Sequence, residues 1–283
     1  MMLARDKRRQ RGFTLVELLT ALSIFLLITG AAFTLLSSSQ QRYQTESQVL
    51  TSFQEARLGL DQMVRDINDA GFPPPTYVNG DPTKVTNTPF AWSPGYPGTP
   101  CQIGTAGGGT CTTATDFAPG DFDIIIETEP NPLDAACYPN CQVQWIRYQL
   151  QGTTLMRGVA IKVSGGNPDF AFTGPNAVVP FVQNVVNNSP NLQIGLFQLS
   201  ASNPTVFPGG NPVPIFQYTC DTPSAPQNQP QPCPPLAGTD NSPLNIRDVM
   251  ITLIVAAPLP DATTGQPRLV QLEGRGRRIN PNQ

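Results

Sequence analysis

Residues 12–36 read GFTLVELLTALSIFLLITGAAFTLL, and this stretch decides the fold. From Phe13 to Leu36 the 24 residues carry a single charge, that of Glu17. At about 1.5 Å per residue they predict a helix roughly 36 Å long, which is enough to cross a bilayer core. The sequence therefore predicts an apolar, membrane-spanning helix close to the N-terminus.

A basic leader precedes the apolar stretch and faces a single acid, Asp6. Its basic residues are Arg5, Lys7, Arg8, Arg9 and Arg11. By the positive-inside rule the leader stays cytoplasmic and the chain after Leu36 is exported. A secretory signal would have a shorter apolar region, followed by a cleavage site with small residues. Here the run is too long, and we expect processing before it, at the junction of Gly12 and Phe13.

The block RGFTLVELL at residues 11–19 resembles the type III signal of prepilins and pseudopilins. The resemblance implies that a prepilin peptidase cuts after Gly12 and methylates the new amine of Phe13. It also implies docking with other pilin or pseudopilin subunits, in which Glu17 pairs with the N-terminal amine of a neighbour. The alternative is that Glu17 snorkels to the membrane interface or caps the first turn of its own helix.

Beyond the apolar stretch the sequence turns polar but keeps a helical period. Apolar residues recur at spacings of three and four, at Phe53, Ala56, Leu60, Met63 and Ile67. This stripe predicts an amphipathic continuation over residues 37–71. Gly71 and Pro73 end it, because glycine suits a left-handed cap and proline cannot continue the hydrogen bonds. One helix is therefore expected from Thr14 to Ala70.

The rest of the chain predicts a β-rich domain. Residues 72–120 are rich in proline, glycine, threonine and asparagine and predict a long loop excursion. Strand character follows in eight runs: Phe122–Thr128, Val143–Gln149, Thr154–Val163, Val178–Val186, Leu192–Leu199, Ile215–Thr219, Arg247–Ala256 and Arg268–Arg277. Gln151 and Gly152 predict a hairpin turn. The fold class is therefore α+β, with an antiparallel sheet covering the apolar stripe of the helix.

This order of elements resembles the pilin α/β roll, and most closely the larger PilW-type minor pilins and the J-type minor pseudopilin of type II secretion. The implied organisation is a leader at residues 1–12, an assembly helix at 13–36, its continuation at 37–71 and an exported domain at 72–283. So large an exported domain favours a minor subunit, with a structural or priming role. Such a subunit would start in the inner membrane with a cytoplasmic N-terminus and a periplasmic domain, and then enter a filament or reach the cell surface.

Composition argues against several function classes. Histidine is absent, which removes the commonest general base and the commonest metal ligand. Removing residues 1–12 leaves 12 basic and 19 acidic residues, a net charge of −7, which disfavours nucleic-acid binding. We expect no enzyme, no cofactor and no metal. The one remaining basic cluster, Arg275, Arg277 and Arg278, is interpreted as a solvated strand end rather than a ligand site.

Six cysteines fall in loop-like sequence, at Cys101, Cys111, Cys137, Cys141, Cys220 and Cys233. Fifteen pairings can be drawn, and the simplest joins nearest neighbours in an oxidising compartment outside the inner membrane. A metal site is the less favoured alternative, because the chain has neither a Cys-x-x-Cys motif nor a histidine.

Four acids, Asp121, Asp123, Glu127 and Glu129, alternate along one predicted strand. They could hold calcium through their oxygens, but no loop with calcium-site spacing surrounds them. We interpret them as a solvated strand face.

Two other functions compete with a filament subunit. The aromatic, proline-rich sequence around Phe90, Trp92 and Tyr96 would suit a ligand-binding module at a filament tip, or plain loop packing. A membrane-tethered enzyme is the third hypothesis, and no catalytic constellation supports it. Sequence alone leaves open whether the filament belongs to a pilus, a type II secretion system or a competence system.

Overall fold

A computed structural model describes residues 12–74, 86, 88–91, 119–129, 142–163, 166–220, 231–232, 246–261, 265–266 and 268–278. Its longest element is helix α1, Leu15–Asn68, which carries the apolar stretch and its polar continuation. The chain divides into two compact units, Met1–Ser47 and Gln48–Gln283. The first unit contains the N-terminal part of α1, and the second contains its C-terminal part together with all the strands.

Helix α1 ends where the sequence predicts. Gly71 adopts a positive φ of 89°, a conformation that costs glycine little and suits a residue just after a helix. Its N–H donates to the carbonyl of Glu127 at 2.9 Å, and the Thr128 hydroxyl donates to the carbonyl of Asp69 at 2.7 Å. The first strand after the helix therefore holds the helix terminus through hydrogen bonds.

Within the described ranges, ten strands follow α1. They are β1 Asp123–Thr128, β2 Gln144–Gln151, β3 Thr154–Ile161, β4 Val179–Val182, β5 Gln193–Ile194, β6 Phe197–Gln198, β7 Phe216–Cys220, β8 Gln231–Pro232, β9 Ile246–Ala256 and β10 Leu269–Arg277. Four form one antiparallel sheet in the order β1-β2-β3-β4, and four form a second in the order β10-β9-β7-β8. The pair β5 and β6 forms a small hairpin, followed by the short helix α2, Leu199–Ser202.

The C-terminal part of α1 packs on both large sheets. The predicted stripe is confirmed at Ala56, Leu60, Met63 and Ile67, which are buried in one cluster with β1 to β4, β7 and β9. Close approach depends on glycines in the strands. A Cβ on Gly276 of β10 would lie 2.6 Å from the Cβ of Ile67, so only hydrogen fits there.

The predicted α+β fold, a long helix packed on antiparallel strands, is confirmed, and most strands lie within two residues of their predicted bounds. Three predictions need correction. The sequence predicted a single sheet over the apolar stripe of α1, whereas two four-stranded sheets cover it. The predicted strand Leu192–Leu199 is a hairpin, because Gly195 turns the chain with a φ of 65°. The predicted strand Val178–Val186 stops at Val182, and beyond it only an isolated bridge joins Val185 to Val255 of β9.

Candidate processing and assembly segment

The first turn of α1 is capped by two side chains of its own. The Thr14 hydroxyl accepts the N–H of Glu17 at 3.3 Å, while the Glu17 carboxylate Oε2 accepts the N–H of Thr14 at 2.9 Å. The same Oε2 also accepts the Thr14 hydroxyl proton at 2.9 Å. This reciprocal pair is a capping box, which satisfies two backbone donors that the helix itself leaves without partners.

The predicted cleavage junction lies just outside the helix. Gly12, Phe13 and Thr14 precede the first helical residue, and the Phe13 side chain is 88% exposed. No other part of the described chain comes within 4 Å of a Cβ built on Gly12. The junction therefore lies outside the helix and its described residues are exposed, as a cleavable peptide bond must be.

The apolar stretch presents its side chains outward. An 18-residue window of α1 has a mean hydropathy of 2.2 and none of it is buried, so the helix is long and apolar enough to cross a membrane. Polar hydroxyls within the stretch donate to carbonyls three or four residues earlier. These donors are Thr20, Ser23, Thr29 and Thr34, at 2.7 to 3.0 Å. Such bonds remove the cost of placing hydroxyls among lipid tails or apolar side chains.

Glu17 is the exception in this segment. One carboxylate oxygen serves the capping box, and the other has no partner among the described residues. Within a single chain Glu17 thus does what the alternative interpretation predicted and caps its own first turn. The expected pairing with a neighbour's amine requires a second subunit and stays a prediction. Gly30 does not interrupt α1, which is continuous through it.

The interpretation of the strand acids as a solvated face is wrong for Glu127 and Glu129, which are buried. Glu127 is fully buried, and its carboxylate contacts the Lys162 ammonium at 2.5 Å and accepts the Trp145 indole N–H at 3.1 Å. Burial lowers the pKa of Lys162, and the charge of Glu127 opposes that shift. Glu129 is also buried and accepts the N–H of Gln142 at 2.8 Å.

Asp123 and Asp121 complete this set. The Asp123 carboxylate is paired with the guanidinium of Arg147 at 2.5 Å, and the same guanidinium lies 3.0 Å from Asp169. Asp121 is exposed, as the solvated-face interpretation predicted, and its partial desolvation raises its pKa. Asp123 and Glu127 therefore hold buried cations of the protein itself, and only Asp121 of the four faces solvent.

A second buried network of hydrogen bonds and an ion pair, not predicted from the sequence, joins α1 to the first sheet. The Asp66 carboxylate of α1 accepts the Tyr148 hydroxyl at 2.5 Å and the Arg157 guanidinium at 3.1 Å. Gln62 donates to its other oxygen at 2.7 Å. The sequence offered one signal of this network. Asp66 stands beside Ile67 of the apolar stripe, and Tyr148 and Arg157 lie inside predicted strands.

The basic cluster is only partly the solvated strand end that its sequence predicts. Arg275 and Arg277 have side chains that are 53% and 56% exposed, and both approach the buried carboxylate of Asp248. Arg278 is buried and donates to the carbonyl of Ile246 at 3.0 Å. Two of the three arginines therefore face solvent, while the third belongs to the packed interior.

The other sequence candidates lie mostly outside the described residues. Cys220, at the end of β7, is disulfide-bonded, whereas the remaining five cysteines fall outside the described ranges. Phe90 is fully buried and bridges to Ile126 of β1, so it packs in the core and is not an exposed ligand contact. Trp92 and Tyr96 also fall outside the described residues.

No cluster of three or more histidine, cysteine, aspartate or glutamate side chains within the described ranges could hold a metal ion. A cleft of about 520 Å³ lies beside α1, with Gln62, Arg157 and Phe181 in its wall. The Arg157 guanidinium is held by Asp66 and Tyr148. Its wall carries no group placed to act as a nucleophile or as a general acid or base.

Comparison with known families bears directly on the N-terminal segment. Residues 7–33 match the prokaryotic N-terminal methylation motif. The block at residues 11–19, which resembles a prepilin signal, lies within this match. The match covers the predicted junction of Gly12 and Phe13, Glu17 and most of the apolar stretch, and it ends before the polar part of α1.

Comparison of the whole chain with known proteins gives a weaker result than the match of the N-terminal segment. No curated protein matches the sequence. Among solved structures, a type IV-like pilin from Thermus thermophilus aligns with 81% of this chain and 97% of its own, at 10% identity and a TM-score of 0.32. A TM-score of that size does not establish a common fold.

Proposed function

We propose that the protein is a minor pilin or pseudopilin, a structural or priming subunit of a type IV pilus or a related filament. The observation that carries this proposal is the methylation motif at residues 7–33, set on an exposed apolar helix whose start is open to a protease. Prepilin peptidase cuts after Gly12 and methylates Phe13. The mature protein then docks through α1 with other pilin or pseudopilin subunits.

Before assembly the protein is held in the inner membrane by α1, with its N-terminus cytoplasmic and its strands periplasmic. Cleavage after Gly12 removes the basic leader, and with it the charges that hold the N-terminus at the cytoplasmic face. The subunit can then leave the membrane for a filament. In this role the protein needs no cofactor and performs no catalysis.

Processing is tested by producing the full chain with and without an active prepilin peptidase and measuring the mass of its N-terminal peptide. The proposal expects a terminus at N-methylated Phe13 only when the peptidase is active. Gly12→Val should block cleavage. Gly30→Val is the matched control, because both glycines have open space around a built Cβ. A Met1 terminus in the presence of active peptidase would overturn the proposal.

In the proposed assembly, Glu17 pairs with the amine of Phe13 on a neighbouring subunit. Two variants separate this role from capping. Glu17→Gln retains the capping box, since glutamine serves at that position, but removes the charge. Thr14→Ala removes the cap, at a cost of about 0.5 to 2 kcal/mol of helix stability, and leaves the charge.

The readout is the share of processed subunit recovered in the filament fraction. Docking by charge expects Glu17→Gln to reduce that share strongly and Thr14→Ala to change it little. The opposite order would assign Glu17 a capping role alone and overturn the docking role.

We also propose three disulfides in the exported domain, Cys101 with Cys111, Cys137 with Cys141 and Cys220 with Cys233. Short loops of this kind are each stabilised by about 2 to 3 kcal/mol in chain-entropy estimates. Peptide mapping without reduction, on protein isolated from the membrane fraction, should recover these three linked pairs. Any other linked pair would refute this connectivity.

A further inference from the structure

Among the described residues, strand β10 leaves one edge of the second sheet open. It pairs with β9 on one side and is the last strand on the other. Two backbone hydrogen bonds just beyond the ends of the strand pair show which residues of β10 bond to β9: the Ala257 N–H donates to the Arg268 carbonyl, and the Arg278 N–H donates to the Arg247 carbonyl. In this register the even-numbered residues of β10 direct their backbone N–H and C=O groups toward β9, and the odd-numbered residues direct theirs outward.

Four of these outward-facing residues have no hydrogen-bond partner for their backbone among the described residues. They are Leu269, Gln271, Glu273 and Arg275. At Arg277 the edge is closed, because its N–H donates to the Asn68 side chain of α1 at 2.8 Å. The open edge thus has a defined length, from 269 to 275. Protein strand edges of this kind accept an additional strand when they are not covered.

The two faces of β10 differ in chemistry. Val270 and Leu272 are partly buried on the face that packs beneath α1, while Gln271, Glu273 and Arg275 are exposed on the other. The Gln271 amide donates a hydrogen bond to the Glu273 carboxylate at 2.8 Å, so one oxygen of this carboxylate already has a donor within β10. An added strand would meet an apolar surface on one face and polar groups on the other.

Two exposed arginines, Arg275 and Arg277, lie at the C-terminal end of this edge. Arg275 donates to Asp248 at 2.7 Å, and the Nε of Arg277 lies 3.9 Å from the same carboxylate. One buried carboxylate therefore faces two arginines, each more than half exposed, which leaves donors directed to solvent. Residues 13–283 taken together are acidic, with a net charge of −7 from 12 basic and 19 acidic residues. An acidic group would be attracted to this edge and repelled by most of the protein.

We propose that the open edge of β10 binds an extended segment of a partner protein in which apolar residues alternate with acidic ones. Its backbone would pair with residues 269 to 275, its apolar side chains would pack on Val270 and Leu272, and a carboxylate would meet Arg275. Backbone pairing supplies affinity in this mode of recognition, and the alternate side chains supply specificity.

The test uses the full chain in detergent micelles and two fluorescent, capped heptapeptides, valine alternating with glutamate and valine alternating with lysine. Fluorescence anisotropy should give a dissociation constant about tenfold lower for the glutamate peptide at low salt, because opposite charges favour it. A glutamate peptide with alternate backbone nitrogens methylated should bind at least about tenfold more weakly, since it cannot complete the ladder.

Three variants locate the site. Glu273→Pro deletes an outward N–H and should weaken binding, whereas Glu273→Ala keeps the N–H and should bind normally. Arg275→Gln should reduce the preference for glutamate over lysine. Arg268→Gln is its matched control, because Arg268 is exposed but is paired with Asp261.

Equal affinity for both peptides, or full affinity for the methylated peptide, would overturn the proposal. Dimerisation of the chain that Glu273→Pro abolishes would also overturn it in favour of a second copy as the occupant. Binding of single-stranded DNA that Arg275→Gln abolishes, without binding of the glutamate peptide, would identify a phosphate site instead. If Glu273→Pro does not fold, the methylated peptide still tests the backbone ladder.

Discussion

Replacing Tyr148 by phenylalanine should destabilise the unit Gln48–Gln283 through the network that joins α1 to the first sheet. The Tyr148 hydroxyl donates to Asp66 at 2.5 Å and accepts from Arg157 at 3.0 Å, and the ring is fully buried. Burial raises the pKa of the Tyr148 phenol, and the charge of Asp66 adds to the shift, so the hydroxyl is protonated and donates at every working pH.

The expected loss follows from the charge of the acceptor. Hydrogen bonds to charged groups contribute about 1.5 to 3 kcal/mol, against about 1 kcal/mol for neutral pairs. The Asp66 side chain is only 10% exposed, so solvent does not replace the lost donor. Tyr148→Phe should therefore lower the free energy of unfolding by about 2 kcal/mol.

The chain contains a matched control for this change. Tyr218 is also buried, but its hydroxyl donates to the neutral carbonyl of Gly120 at 2.6 Å. Tyr218→Phe should cost about half as much as Tyr148→Phe, because charge-assisted hydrogen bonds are roughly twice as strong. A cycle with Asp66→Asn should give a coupling of about 1 kcal/mol with Tyr148.

The assay is urea unfolding of the full chain in detergent micelles, with Trp92 replaced by phenylalanine in every variant so that the fluorescence reports on buried Trp145. Changes in midpoint at constant slope report stability directly. If Tyr218→Phe costs as much as Tyr148→Phe, or if Tyr148 and Asp66 show no coupling, the charged network does not stabilise the packing of α1 on the first sheet.

Three more predictions can be measured in the same unfolding assay. Gly276→Ala should cost about 1 to 3 kcal/mol because its Cβ meets Ile67, and adding Ile67→Ala should recover part of that loss. Lys162→Met should cost about 3 to 5 kcal/mol by removing the cation from buried Glu127, and adding Glu127→Leu should restore much of it. Asp69→Asn should raise stability at pH 7, because burial and a neighbouring carboxylate raise the pKa of Asp69, so its ionisation disfavours the folded state. That gain should vanish below the ordinary pKa of 3.8, and a gain that persists there would contradict its electrostatic origin.

Sequence patterns predicted the long helix well because both of its halves have a simple cause. The first half is apolar on all sides, and the second repeats apolar residues every three or four positions, so each pattern has one helical interpretation. The stop at Gly71 followed from its backbone alone. The predicted junction at Gly12 rests on a different kind of signal, since a protease recognises local sequence rather than a folded surface.

The alternation of apolar and polar residues did not predict which faces of a strand are buried. Alternation in β1 assigns Ile124 and Ile126 to one face, and Ile125 and Glu127 to the other. It cannot reveal that the second face is also buried, against Ala91 and Trp145 among others. That face is covered by residues distant in sequence. For the same reason Asp66 passed unnoticed, because its partners lie about 80 and 90 residues further on.

The polar groups of the N-terminal helix bear on how such a helix could leave a membrane. Its hydroxyls donate within α1, so their hydrogen bonds are the same in lipid tails and among packed helices. Moving the helix between these surroundings therefore changes little except at Glu17. A carboxylate costs about 2.5 to 3.5 kcal/mol at the centre of a bilayer, and less toward its edge. Because the capping box occupies one oxygen of Glu17, the other is left for the amine with which the proposed docking would pair it. If the proposed processing and docking occur, their electrostatic energy would be concentrated in this one residue near the N-terminus.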